Sequence, residues 1–224
     1  MLEIENRVKK ILSQIEKGNS YGEKVTLVAA TKTQPAEVIN AAIKAGVHAV
    51  AENKVQEFRD KTEFLSPCPQ HFIGHLQTNK VKYLIGKIDL YHSCDRDTLA
   101  EEIAKQSVKK GIVSNVLIQI NISREESKGG YSYEGAKEVF LRLKDMQGLS
   151  VKGFMAMLPE KGTEELFISL SQKMRSLLDW AKTLSPDVEY LSMGMSGDYQ
   201  LCVENGSNMI RVGSTIFGAR DYTK

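Results

Sequence analysis

A lysine ends a short apolar run near the start of the chain. The run is Val25-Thr-Leu-Val-Ala-Ala-Thr31, Lys32 follows it, and Thr33-Gln34-Pro35 comes next. Apolar and β-branched residues predict a strand buried on both faces, as parallel strands are, and the proline suits the first turn of a helix. An amine at the C-terminal mouth of such a sheet loses hydration, which favours its neutral, nucleophilic form. The alternative is a strand-end lysine that points into water, so the chemistry needs support from other residues.

Mostly small, amide and hydroxyl residues follow the other predicted strands. They are Asn53, Gly74, His75, Ser93, Asn121, Met155, Ala156, Ser196, Gly213, Ser214 and Thr215. The segments 192–198 and 211–215 offer serine hydroxyls and backbone N–H groups, which can bind a phosphate between the last strands of a barrel. Each segment alone could be an ordinary turn. Both together, opposite a lysine of the first strand, favour a phosphate-bearing aldehyde, with the lysine condensed on the aldehyde and the two segments on the phosphate.

The same strand ends argue against two other chemistries. They contain no Asp/Glu pair of the kind that glycoside hydrolysis uses, and no His/Asp/Glu set at metal-ligand spacing. His71 and His75 have the spacing of a metal site on a helix, but Gly74 and the strand pattern oppose a helix there. We therefore expect no metal at this pair.

Arg211 alternates with Ile210 and Val212 in the last predicted strand, so its side chain faces the opposite side of the sheet from theirs. A charged side chain inside a barrel needs a partner. One possibility is a buried ion pair with Asp198 or Glu204. The other is a bound pyridine ring, whose unprotonated nitrogen would accept a hydrogen bond, because arginine keeps its proton. Such a ring is a weak electron sink.

Eight predicted strands alternate with helices along the chain. The strands span 25–31, 47–52, 70–74, 88–93, 115–121, 149–156, 189–192 and 209–213. Helices are predicted at 2–17, 35–45, 54–64, 78–86, 95–109 (with Asp95 as N-cap), 133–146, 163–184 and 198–205, with a last turn at 214–220. Eight βα repeats predict an α/β fold, a single closed (β/α)8 TIM barrel, with the first helix as an extra N-terminal element. An open doubly wound sheet is the alternative, but it normally has a glycine-rich first turn, which this chain lacks.

Length and composition fit a single soluble domain over residues 1–224. The charged residues, 26% of the chain, interrupt every apolar run before it could span a bilayer. The net charge of +2 gives no electrostatic reason to expect nucleic acid or a membrane surface as a partner. Cys68, Cys94 and Cys202 are an odd number without a C-x-x-C pair, and the N-terminus does not resemble a signal peptide. We therefore expect a reducing, cytoplasmic compartment.

Long motifs occur at 28–33, 51–57, 71–80, 116–121, 153–156, 191–196 and 211–220. Together they resemble the pyridoxal phosphate homeostasis protein family, from about residue 6 to the end of the chain. The resemblance implies a barrel of the alanine racemase N-terminal domain type that binds pyridoxal 5′-phosphate (PLP). By match to the motifs, Lys32 would hold the cofactor as a Schiff base, Asn53 would contact its ring region, and Arg211 would face its ring nitrogen. Its phosphate would be held by Ser196, Gly213, Ser214 and Thr215.

The resemblance also implies a protein that buffers or carries the cofactor in vitamin B6 homeostasis and has no established catalytic turnover. It further implies a monomer, as bacterial members mostly are, with apo PLP enzymes as candidate recipients of the cofactor. A racemase needs a second base on the far face of the cofactor, and a second, β-rich domain completes the site in related racemases. We expect no such domain here, so the mouth would be open to water and would lack the closure that sharpens catalysis. Two alternatives stay open: a racemase- or decarboxylase-like enzyme acting on small amino acids, and a barrel that binds another phosphorylated metabolite or a protein, with Lys32 in a salt bridge.

Overall fold

Short apolar strands and amphipathic helices alternate along the chain and close into a ring of eight parallel strands. The computed structural model describes residues 1–218. The strands are β1 (Thr26–Ala30), β2 (Ala49–Glu52), β3 (Gln70–Phe72), β4 (Leu90–Cys94), β5 (Ser114–Ile120), β6 (Leu149–Ala156), β7 (Tyr190–Ser192) and β8 (Met209–Val212). The helices are α1 (Leu2–Ile15), α2 (Ala36–Lys44), α3 (Val55–Lys61), α4 (Asp97–Lys109), α5 (Ala136–Leu143), α6 (Glu164–Lys182), α7 (Tyr199–Glu204) and α8 (Ser214–Phe217), with short 3₁₀ helices at Thr62–Phe64 and Thr78–Tyr83.

Each strand pairs in parallel with the next one along the chain, and β8 closes the ring on β1 with Arg211 opposite Val28. The predicted TIM barrel with an extra N-terminal helix is therefore confirmed. Helix α1 carries Val8, Ile11 and Ile15 on one face, and these side chains are buried in the same cluster as residues of β1, α2 and β8. Each such burial contributes roughly 1.5–3 kcal/mol, which explains why the added helix stays on the barrel.

Local details differ from the sequence prediction. The segment predicted as a helix over 78–86 is a 3₁₀ helix, and Gly86, with a φ of 78°, follows it. Asp95 is not the N-cap of α4: Arg96 occupies that position, and the buried Asp95 carboxylate instead accepts hydrogen bonds from Arg96 and His75. Residues 219 and 220 of the predicted last turn lie outside the described residues.

The interior of the ring is filled by side chains of modest size. They are Val28, Ala49, Ala51, Leu90, Leu117, Met155 and Met209. Larger apolar clusters lie between the ring and the helices, so most of the core is outside the barrel. This leaves room inside the ring for polar side chains near its C-terminal mouth. Within residues 1–218, no helix has the length and apolar character needed to cross a membrane.

Candidate functional site

Lys32 lies just after β1, at the C-terminal mouth of the barrel. Alternation along the strand puts it on the same side as Val28, which is buried inside the ring. The next residue, Thr33, has a φ of 66°, in the left-handed region that β-branched residues rarely adopt. Strain of this kind costs on the order of 1–3 kcal/mol and persists only where the surroundings hold it. The lysine therefore sits on a turn that other contacts must fix.

Those contacts come from β2 and α3. The Thr33 N–H donates to Glu57 Oε2 at 2.7 Å, and the Thr31 hydroxyl donates to Glu52 Oε1 at 2.7 Å. Lys61 Nζ donates to both carboxylates, at 2.9 Å to Glu52 Oε1 and 2.7 Å to Glu57 Oε2. We call Glu52, Glu57 and Lys61 the Lys61 cluster. The residues on both sides of Lys32 are thus tied to one ionic cluster.

The two carboxylates of the Lys61 cluster have different environments. Burial raises the pKa of Glu52, whose Oε2 has no hydrogen-bond partner among the described residues. Burial acts in the same direction on Glu57, but hydrogen bonds from Lys61 and the Thr33 N–H outweigh it and lower the pKa of Glu57 below its ordinary value. Lys61 Nζ, 2.9 Å from Glu52 Oε1, is the ion-pair partner of this buried carboxyl group.

Ser196 joins the ends of the last two strands. Its Oγ accepts hydrogen bonds from the N–H groups of Gly213, at 3.3 Å, and Thr215, at 3.2 Å. Ser214 lies between these donors and is exposed. A Cβ at position 213 would lie 3.4 Å from the backbone oxygen of Ala30, so this turn is next to the end of β1. Two backbone N–H groups that converge on one point can both donate to a phosphate oxygen.

Asn53 follows β2, which is the neighbour of β1 in the ring. Gly74, after β3, passes so close that a Cβ there would lie 2.0 Å from the Asn53 backbone oxygen, so only glycine fits. The Asn53 side-chain oxygen, Oδ1, is buried and has no hydrogen-bond partner among residues 1–218. A buried polar atom without a partner costs about 1–3 kcal/mol. This amide is therefore placed to gain from contact with a ligand.

Arg211 lies inside the ring and is 5% exposed. Its Nη1 donates to the Ser192 backbone oxygen at 2.7 Å and to Ser192 Oγ at 2.6 Å, and its Nη2 donates to the Ala156 backbone oxygen at 3.0 Å. None of the ion pairs found within residues 1–218 involves Arg211, so of the two partners left open by the sequence, the carboxylate of Asp198 or Glu204 is not found. Carbonyl and hydroxyl dipoles compensate the charge instead, although burial lowers the pKa of the guanidinium to about 10.

A chain of hydrogen bonds continues from Arg211 through the barrel interior. Ser192 Oγ lies 3.0 Å from His92 Nδ1, and His92 Nε2 lies 3.0 Å from His71 Nδ1. Burial lowers the pKa of both histidines, that of His71 to about 4, so both rings are neutral at pH 7. Each neutral ring has one N–H donor and one acceptor nitrogen, so His92 donates to one of its two neighbours and accepts from the other.

Other predicted strand-end residues hold loops and do not join this site. Asn121 donates to the backbone oxygens of Glu125 and Lys128, and Ser93 donates to that of Gly74. His75 forms a hydrogen bond with Asp95, whereas His71 forms one with His92, so the two histidines have different partners. No three His, Cys, Asp or Glu side chains of residues 1–218 form a group that could hold a metal ion.

Sequence reasoning missed Glu52, Lys61, Ser192 and His92. For His92, the available signal was its alternation with Leu90, which puts both side chains on the inner side of β4. For Ser192, the same alternation applies within β7. No comparable local signal links Lys61 to Glu52, because their contact depends on how α3 packs against the ring.

Comparison with known proteins places the chain in a family. The sequence model described as alanine racemase, N-terminal domain, matches residues 4–221. The pyridoxal phosphate homeostasis protein of Aquifex aeolicus is 40% identical over 223 residues, which cover 96% of this chain and 98% of that protein. This chain belongs to the pyridoxal phosphate homeostasis protein family. The member from Escherichia coli K12 is 36% identical over 207 residues, covering 90% of this chain and 88% of that protein.

Solved structures agree with this assignment. PipY of Synechococcus elongatus PCC7942, in a structure described as without PLP, has a TM-score of 0.86 and is 29% identical to this chain. The aligned region covers 96% of this chain and 100% of the PipY chain. The PipY structure described with PLP bound has a TM-score of 0.83 and 28% identity, with the same coverage. An alanine racemase of Clostridium difficile 630 has a TM-score of 0.81 at 14% identity and covers 98% of this chain but 57% of that one. This last similarity shows a shared barrel fold.

Proposed function

We propose that this protein binds PLP at the C-terminal mouth of its barrel, with residues 1–224 as one cofactor-binding domain, and that it buffers or delivers the cofactor. Bound PLP supplies an aldehyde that an amine can attack and a ring that withdraws electrons. Lys32 would hold the cofactor through that aldehyde as a Schiff base, with water as the leaving group. The observation that carries the proposal is the convergence of two N–H groups on Ser196 Oγ, next to the strand that Lys32 follows.

The residues at the mouth fit the different parts of the cofactor. Ser196 and the turn from Gly213 to Thr215 offer a hydroxyl group and backbone N–H groups to the phosphate. The unpaired Oδ1 of Asn53 is available to the ring region. Three hydrogen bonds from Arg211 leave two of its five N–H donors for a ring nitrogen.

We infer that the cofactor is carried without catalytic turnover, by a cytoplasmic monomer that supplies apo PLP enzymes. Arginine cannot give its proton to the ring nitrogen, so it leaves the ring a weak electron sink, and a weak sink disfavours the carbanion that racemisation requires. The relatives from Aquifex aeolicus and Escherichia coli, both named as pyridoxal phosphate homeostasis proteins, support the same role. Incubation with L-alanine in deuterated water should give Cα exchange no faster than free PLP does. Exchange at an enzymatic rate would instead support a racemase-like enzyme.

Lys32→Ala tests the covalent link. Protein saturated with PLP should show a visible absorbance band, and borohydride should fix the cofactor on Lys32, which peptide mass spectrometry can locate. Lys32→Ala should abolish the fixed adduct. Lys105→Ala is the matched control, because this lysine is exposed on α4 and its replacement should leave the adduct unchanged. An adduct that persists on one other lysine in Lys32→Ala would overturn the proposal.

Ser196→Ala tests the phosphate position separately. The variant removes the hydroxyl that would donate to the phosphate, and the loss of one hydrogen bond to a charged group, about 1.5 kcal/mol, should weaken PLP affinity roughly 10-fold. The affinity for pyridoxal, which has no phosphate, should not change. An equal loss for both compounds would show that Ser196 does not bind the phosphate.

A further inference from the structure

A second cavity, of about 350 Å³, opens between the segments that follow β2 and β3. Seven of its nine lining residues belong to the motifs 51–57 and 71–80, by which the sequence resembles its family. Of these lining residues, only Asn53 has a part in the proposed cofactor site. We call this cavity the Tyr83 pocket, after the aromatic residue in its lining. Two motifs thus converge on a cavity to which the cofactor site assigns no role.

The lining of the Tyr83 pocket carries positive charge and no carboxylate. Arg59 Cζ lies 4.8 Å from the centroid of the Tyr83 ring, Lys80 Nζ lies 6.0 Å from it, and the nearby Lys82 Nζ lies 5.1 Å from it. None of these three cations forms an ion pair with a residue of the described chain. Like charges around one ring repel one another, so an anion bound among them would be stabilised.

The remaining residues of the lining also favour the binding of an anion. Lys54 adds a fourth cation, whose nearest carboxylate oxygen, on Glu57, is 3.9 Å away and is part of the Lys61 cluster. Gln56 and Gln77 add amide donors. Arginine and lysine together with amide N–H groups are the donors that bind a phosphate dianion. A concave cavity of this volume suits a small ligand and not a flat protein surface.

The position of the pocket connects it to the mouth of the barrel. Asn53 lines the Tyr83 pocket and also stands at the end of β2, beside the strand that leads to Lys32. A ligand held by Arg59 and Lys80 would therefore be a neighbour of the cofactor site. The two sites would share one wall and would differ in their donors: backbone N–H groups at the first, charged side chains at the second.

We propose that the Tyr83 pocket binds a phosphate monoester, and that a second molecule of the phosphorylated vitamer is held there before it moves to Lys32. The binding of a phosphate monoester stands on the pocket alone, whereas the transfer to Lys32 rests on the proposed function. Charged side chains on the surface give fast, salt-sensitive capture, and the interior site then gives selective retention.

The test uses protein whose first site is closed. PLP is bound and fixed on Lys32 with borohydride, and the product is titrated calorimetrically with pyridoxine 5′-phosphate, which has no aldehyde, and with inorganic phosphate. We expect one further equivalent of the monoester per chain, weakened at least 10-fold in the double variant Arg59→Gln/Lys80→Gln. The matched control, Lys105→Gln/Lys109→Gln, removes the same charge from exposed positions on α4 and should bind as the wild type does.

The outcomes separate this inference from the proposed function. In one outcome, the adduct on Lys32 forms normally while no second equivalent of the monoester binds; in another, the Arg59→Gln/Lys80→Gln variant still binds that second equivalent. Either result refutes ligand binding in the Tyr83 pocket and leaves the proposed function intact. Failure to form any adduct overturns the proposed function, and the titration is then made on the unmodified protein. Tighter binding of a hexaglutamate peptide than of the monoester would assign the pocket to an acidic protein and would also overturn the inference.

A kinetic measurement tests the transfer. In stopped-flow mixing with PLP at low salt, the Arg59→Gln/Lys80→Gln protein should form the absorbance band at least threefold more slowly than the control variant, with the same final amplitude. The difference should shrink as salt is added, because screening weakens capture by exposed charges. Equal rates in the two variants would exclude the Tyr83 pocket from the entry path.

Discussion

Lys61→Met tests whether the Lys61 cluster supports the turn that carries Lys32. Methionine keeps most of the length and packing of the lysine side chain but removes its charge. The Glu52 side chain, which is 5% exposed, would then keep only the Thr31 hydroxyl as a hydrogen-bond donor among its described partners. The strained turn at Thr33 would keep its bond to Glu57, but that carboxylate would lose Lys61 and keep only Lys54, at 3.9 Å, as a cation.

The magnitude follows from the burial of the three side chains. Removing one partner of a buried ion pair costs about 3–5 kcal/mol, because the other charge is left uncompensated. Here the Lys61 and Glu57 side chains are 15% and 20% exposed, so water can replace part of the lost interaction. We therefore expect the free energy of unfolding to fall by about 2–4 kcal/mol at pH 8.

The loss should depend on pH in a defined direction. Burial already raises the pKa of Glu52 in the folded protein, and loss of the cation raises it further. A carboxyl group whose folded pKa lies above its unfolded value contributes stability that is fully present below the unfolded pKa and disappears as the pH rises through the folded pKa. The deficit of Lys61→Met should therefore be smallest near pH 4.5 and should increase toward pH 8.

Urea unfolding at several pH values measures this deficit. Adding Glu52→Gln to Lys61→Met should recover most of the stability at pH 8, because a neutral amide replaces the buried charge. The control Lys105→Met, at an exposed position on α4, should change stability by less than about 0.5 kcal/mol. A deficit that is equal at all pH values and is unaffected by Glu52→Gln would refute the electrostatic argument.

Three other expectations concern stability and thiol chemistry. Gly153→Ala should lower the free energy of unfolding by more than about 3 kcal/mol or prevent folding, since its Cβ would lie 1.9 Å from a backbone oxygen of β7. Gly22 has open space around it at a φ of 74°, so Gly22→Ala should lower this free energy by only about 1–2 kcal/mol in the same urea titration. Burial acts to raise the pKa of Glu23, but hydrogen bonds, including those from Arg175, outweigh burial and lower the pKa to about 2. The stability that this group contributes above pH 4.5 should therefore be lost as the pH falls toward 2. Glu23→Gln should make the free energy of unfolding less dependent on pH over this range. A disulfide-exchange reagent should modify Cys68 in the native protein, while the other two thiols, whose pKa burial raises to about 12, should react only on unfolding.

The barrel could be predicted because its signals are local. Each strand is a short apolar run bounded by polar or glycine residues, as at 114–120, and counting eight of them with intervening helices leaves few alternatives to a closed ring. Local signals were also misleading at the start of α4. Asp95 has the residue type of an N-cap, yet its carboxylate is 4% exposed and pairs with Arg96, so a tertiary contact overrides the capping preference.

The partners in the site were harder to predict because they are distant in sequence. Lys61 contacts Glu52 and Thr31, which precede it by 9 and 30 residues, and no periodic pattern connects these positions. For Arg211, the sequence left two partners open, a carboxylate or the nitrogen of a bound ring, because a buried charge needs compensation. Sequence reasoning could not foresee that the ends of β6 and β7 would supply backbone oxygens to the guanidinium, because those contacts depend on the strand register.

The arrangement around Arg211 connects the stability of the barrel to the proposed function. The guanidinium is 5% exposed, and its described partners, two backbone oxygens and one hydroxyl, are all neutral. Neutral dipoles compensate a buried charge less fully than a carboxylate does, and the two histidines farther along the chain of hydrogen bonds add no negative charge. A ligand that brings an anionic group to the mouth and an acceptor nitrogen to the arginine lowers this electrostatic cost in the folded state alone. Its binding must therefore increase the free energy of unfolding, and the increase measures how much of the cost the ligand removes.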